Sequence, residues 1–164
     1  MYNNFDYLKE VEAVFSNPIV VITLTLFLLF ASYSDFKYLK IYHKFNFIFF
    51  LLRMVFVFLP VFSLPLTLSN INGAIFGFCL MYIPAMLCGV SKGGDIRFVS
   101  ILGLYLGFPL LLNMLLMTYS SIIIYLIVRK FILKKNVTNL GIPLAPFVLI
   151  GYVMNYVIFL CIFC

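Results

Sequence analysis

Between Phe98 and Val128 the chain runs for 31 residues without a charged side chain. No water-exposed surface can be built from such a run, and it exceeds the ~20 residues that one helix needs to cross a bilayer. Gly107, Pro109 and Asn113 offer a break near its first third. The spacing therefore predicts two helices, a short one before the break and a longer one ending at Arg129-Lys130. The rest of the chain is of the same kind. Its 164 residues are 65% hydrophobic and 10% charged, with a mean hydropathy of +1.18, whereas soluble domains run near ~45–50% and ~25%. These values exclude a water-soluble globule and a disordered chain, and leave an integral membrane protein.

Four more apolar runs complete the count: Pro18 to Ser34, Phe45 to Leu64, Ala74 to Val90 and Ile142 to Cys164. The second is interrupted only by Arg53 and closed by Pro60 and Pro65, and Ser69-Asn70-Ile71-Asn72-Gly73 reads as a turn before the third. The expected fold is all-α, a bundle of about six transmembrane helices. One polytopic domain spans residues 1–164. Asp6, Glu10 and Glu12 deny the first residues the basic start of a secretory signal, so no cleavage is expected.

Lys37, Lys40, Lys44, Lys92, Arg97, Arg129, Lys130, Lys134 and Lys135 all fall in alternate loops or at their edges, against Lys9 on the other side. This asymmetry places those loops in the cytoplasm and both termini outside. The net charge of +6 is then a topology signal, and the partner it implies is the lipid bilayer rather than nucleic acid. Gly73-x-x-x-Gly77 and Gly103-x-x-x-Gly107 put small residues one turn apart, where helices can approach closely. Cys79, Cys88, Cys161 and Cys164 lie inside apolar stretches and read as small hydrophobes, with neither a disulfide framework nor a metal site expected. Asn136-Val137-Thr138, on a cytoplasmic loop, should carry no glycan.

Of five acidic residues, three are in the N-terminal tail, and only Asp35 and Asp95 follow. Each comes after an apolar span, and the topology brings both to one membrane face. Acidic residues near a bilayer are costly, so two at equivalent depth suggest a pair. Two carboxyl groups held close share a proton. One can take a proton from water while its protonated partner polarises a carbonyl, which is the chemistry of an aspartic protease. The plainer reading is that each pairs with a loop lysine or caps a helix. Gly93-Gly94 before Asp95 supplies either a hinge or a close approach. Arg53, a charge inside a span, marks function or a side chain snorkelling to the interface. His43 reads as solvated surface.

With these residues in place the sequence resembles the type IV prepilin peptidases. Asp35 is followed six residues on by Ile41, with Tyr42 and His43 where the family has Pro and Asn. Lys92-Gly93-Gly94-Asp95-Ile96-Arg97 resembles the family's Gly-x-Gly-Asp motif, with Lys92 at the first Gly. Ile142-Pro143-Leu144-Ala145-Pro146 followed by Gly151 reproduces the spacing of its C-terminal Ile-Pro-x-x-Pro stretch. The resemblance implies a multi-pass enzyme of the bacterial cytoplasmic membrane, with Asp35 and Asp95 catalytic. Gly93, Gly94, Lys92 and Arg97 would act in substrate binding or as a hinge whose closure brings the aspartates together. The implied partners are a prepilin or pseudopilin helix, cleaved at the cytoplasmic surface, and pilus-assembly proteins. The chain lacks the inserted CxxC region of longer relatives, so no zinc, no S-adenosylmethionine and no other cofactor is expected. A presenilin-like intramembrane protease, a small proton- or cation-coupled transporter and a non-catalytic assembly subunit are the competing readings.

Overall fold

The computed structural model describes residues 11–58, 66–88, 93–132 and 142–163. These form six principal helices: α1 (Pro18–Tyr38), α2 (His43–Phe58), α3 (Leu68–Cys88), α4 (Gly93–Leu106), α5 (Phe108–Phe131) and α6 (Leu144–Phe163). A further helical stretch over residues 11–15 precedes them. The protein is an all-α membrane protein. Four helices, α1, α3, α5 and α6, are long and apolar enough to cross a bilayer. The others are shorter, with 16 residues in α2 and 14 in α4. At about 1.5 Å per residue α4 reaches only ~21 Å, less than the ~30 Å hydrocarbon core.

The expected break after α4 falls on Gly107, whose φ of 79° and ψ of 170° suit glycine alone. Its backbone groups are satisfied locally. Gly107 N–H donates to Gly103 O at 2.9 Å, and Phe108 N–H donates to Ser69 Oγ at 3.1 Å. Pro109 in the first turn of α5 has no N–H to satisfy.

The stretch Ser69–Gly73 is helical, not the turn its composition suggests. Asn70 stands one turn into the helix and caps it: its Oδ1 accepts from Thr67 N–H (3.0 Å) and Thr67 Oγ1 (2.6 Å), while Thr67 Oγ1 accepts from Asn70 N–H. This reciprocal cap uses the same polar residues that read as a loop.

The first span also extends past Ser34, through Asp35 to Tyr38. Leu39 ends it in the left-handed region (φ 51°), with its N–H bonded to Asp35 O at 2.9 Å.

The core lies where α4 meets α1 and α5, at Leu24, Phe27, Phe98, Leu102 and Leu111. Outward faces stay apolar, with Phe36, Leu87 and Phe131 at least 70% exposed, as lipid contact requires. Consecutive helices alternate in direction. Ala145 N–H at the start of α6 meets Asp35 at the end of α1, and Asn46 at the start of α2 meets Gly94 at the start of α4. Tyr125 near the end of α5 meets Phe147 near the start of α6. One end of the bundle thus gathers these helix ends, and with them Lys37, Lys40, Lys44, Arg97, Arg129 and Lys130.

Candidate active site

Asp35 is 5% exposed, in the last turn of α1. Its Oδ2 accepts the backbone N–H of Ala145 at 2.9 Å. Ala145 is the second residue of α6, where free N–H groups and the positive end of the helix dipole favour an anionic partner. Pro143 and Pro146 carry no N–H, so between the two prolines the donors are those of Leu144 and Ala145. The C-terminal landmark of the sequence is thereby tied to Asp35 by a hydrogen bond across 110 residues. Helix capping, the plainer role foreseen for this aspartate, is therefore present. It also fixes where the carboxylate points.

The segment after Asp35 is held at each step. Leu39 caps α1 on Asp35 O, and Ser34 Oγ donates to Lys40 O at 2.8 Å. Ile41, buried, follows. Its carbonyl lies against Gly94, where an added Cβ would come within 2.6 Å of that oxygen. Asn46 then donates from Nδ2 to Gly94 O at 3.0 Å. Gly94 is helical, and glycine serves here for close approach. Among the described residues nothing lies within 4 Å of a Cβ built at Gly93.

Asp95 follows, half-buried in the first turn of α4. A helix N-terminus favours an acid there. Arg97 is exposed two residues on, and Lys92 lies outside the described residues. The structure therefore brings Asp35, Gly94, Asp95 and Arg97 to one end of the bundle, on α1 and α4.

This geometry accompanies a family match. The family model described as the type IV leader peptidase family matches residues 22–128. The chain belongs to the type IV leader peptidase family. The match covers both aspartates and stops before α6, so the Ala145–Asp35 bond extends the site beyond the matched range. The chain matches no curated protein and no solved structure.

For this leader peptidase, sequence reasoning singled out Arg53 and passed over Asn46. Arg53 is 2% exposed and does not snorkel. Its Nε donates to Leu104 O at 3.1 Å, and its guanidinium lies 5.6 Å from the Tyr105 ring centroid. It joins α2 to the last turn of α4, where a helix leaves carbonyls without the usual intrahelical donor. His43, Asn46 and Arg53 recur at helical spacing along a helix whose other residues, Lys44 apart, are apolar. That spacing is the signal that could have marked the face of α2 turned toward α4. Among the described residues no three of His, Cys, Asp and Glu gather in a group that could hold a metal ion.

Proposed function

We propose that this leader peptidase is a membrane aspartic endopeptidase that removes the leader from type IV prepilins or pseudopilins at the cytoplasmic face. Asp35 and Asp95 activate the water. One observation carries the reading: the only two acidic residues beyond the N-terminal tail lie at the same end of the bundle, linked through Ile41 against Gly94.

In this mechanism an ionised carboxylate takes a proton from water as the water oxygen attacks the scissile carbonyl carbon. The protonated partner donates to the carbonyl oxygen. The tetrahedral intermediate then collapses, its C–N bond breaks, and a proton passes to the leaving amine. The Ala145 N–H keeps the Asp35 carboxylate oriented through these steps. Closure of the Gly93-Gly94 segment on substrate brings the pair together. The basic residues at this end support a cytoplasmic site by the positive-inside rule, and the substrate helix stays in the bilayer while its leader is cut.

The test is leader removal from a co-expressed prepilin, followed on a gel for the unaltered chain and for Asp35→Ala, Asp95→Ala and the near-isosteric Asn variants. The expected result is processing by the unaltered chain and none by any variant that still inserts. Normal processing by both Ala variants would show that the aspartates are structural.

A further inference from the structure

A cavity of about 350 Å³ opens between α2, α3 and α4, with His43, Phe50, Phe78, Arg97 and Leu104 among its lining residues. That volume is within the ~300–1,000 Å³ usual for small-molecule sites. Arg97, Ser100, Ile101 and Leu104 form one stripe along α4, about half a turn around the helix from Asp95. The cavity is therefore separate from the aspartates.

Its lining is sorted by depth. His43 begins α2 and Arg97 lies in the second turn of α4, both exposed and both at the basic end of the bundle. Seven residues further along the same helices stand Phe50 and Leu104, ~10 Å deeper at 1.5 Å per residue. Phe78 faces them from α3, its ring stacked on Tyr82 at 5.1 Å. The other polar side chains of the lining are engaged within the protein. Ser100 Oγ donates to Ala74 O at 3.0 Å, and Asn46, buried, donates to Gly94 O. Arg97 and His43 are thus the polar groups turned to a ligand, and carbon lies below them.

A guanidinium presents a fork of N–H donors that matches phosphate, and an imidazole carries an N–H donor in either charge state. Basic pockets between spanning helices hold anionic headgroups in this way. A zwitterionic headgroup brings its own cation beside the phosphate, so the net attraction belongs to the anionic one. The apolar walls below call for hydrocarbon, which a soluble anion does not supply. A second helix, ~10 Å across, would need about twice the volume present over ~10 Å of depth, whereas an acyl chain is slim enough.

We propose that this cavity is a binding site for an anionic phospholipid. Arg97 and His43 hold its phosphate, and one acyl chain lies along Phe50, Phe78 and Leu104. The proposal stands apart from the peptidase reading, because neither aspartate takes part in it.

The chain holds no tryptophan, so one introduced at Phe50 reports from the cavity alone. Full-length Phe50→Trp protein is placed in vesicles of phosphatidylcholine with a rising share of phosphatidylglycerol, one lipid or the other carrying brominated acyl chains that quench the fluorescence. Ile124→Trp is the control, because Ile124 is exposed and lies ~10 Å before the end of α5, close to Arg129 and Lys130. The preference for phosphatidylglycerol over phosphatidylcholine should be about fivefold greater at Phe50→Trp than at Ile124→Trp, the scale of one basic side chain acting on a headgroup. Arg97→Gln in the Phe50→Trp protein should remove that excess. Glycerol phosphate added to the buffer should leave the quenching unchanged.

Equal preference at the two positions overturns the proposal, since surface charge alone would then explain it. An excess that survives Arg97→Gln overturns it too. Relief of quenching by glycerol phosphate would assign the site to a soluble anion, and a Phe50→Trp that neither brominated lipid quenches would show that lipid does not enter. Should Phe50→Trp fail to fold, Phe78→Trp on the facing wall gives the same readings.

Discussion

The two flanks of α4 are held by different means. Toward α3 the contact is mainly backbone on backbone, with one side-chain hydrogen bond, Ser100 Oγ to Ala74 O at 3.0 Å. A Cβ at Gly73 would come within 2.7 Å of Gly103 O, one at Gly77 within 2.9 Å of Val99 O, and one at Gly103 would clash with the Gly73 carbonyl. Toward α2 the contacts are polar: Asn46 to Gly94 O, Arg53 to Leu104 O, and Tyr105 Oη to Phe49 O at 2.9 Å, with a cavity between them. In a bilayer apolar surface gives little drive to helix association, so close packing and hydrogen bonds must supply it. The glycine flank leaves no room for adjustment. The polar flank, which borders Gly94, leaves a cavity and, among the described residues, an acceptor without a donor.

Breaking the glycine flank should have the largest effect. Gly103→Val inserts carbon against the α3 backbone and should destabilise by more than ~3 kcal/mol, seen as loss of the folded monomer in detergent. Gly94→Ala pushes α4 off Ile41 O beside the site. Leader removal should fall about 100-fold, the scale of a small misplacement of catalytic groups, in a protein that still folds. Arg53→Met withdraws a charged donor from Leu104 O and should cost about 2 kcal/mol in thermal or urea unfolding. Tyr105→Phe loses one neutral hydrogen bond, about 1 kcal/mol by the same measurement. Because Arg53 lies over the Tyr105 ring, the double variant should lose less than the sum. A tolerated Gly103→Val, or a Tyr105→Phe as damaging as it, would erase the distinction between the flanks.

Much of this was legible in the sequence because the governing signals are local. The helix count follows from apolar runs, and the α4–α5 break from Gly107 and Pro109. The glycine seam was visible as spacing, although its pairing of Gly73 with Gly103 is a matter of tertiary packing. The start of α3 was misread because a reciprocal Thr67–Asn70 cap and a loop use the same residues. Asp35 and Asp95 stood out as isolated acids. Its tie to Ala145 did not, because a backbone N–H leaves no mark in composition. Asn46 was missed because one amide in an apolar helix looks incidental until Gly94 lies opposite it.

The central claim is that Asp35 and Asp95 work as one unit, and single-turnover cleavage with enzyme in excess tests it most directly. Asp35→Asn, Asp95→Asn and the double variant, each shown to be folded, are compared with the unaltered chain on one prepilin. The account predicts that all three fall to the same residual rate, at least ~1,000-fold down, because groups acting together are not additive. Full activity in either single variant, or two partial losses that multiply in the double, would contradict it.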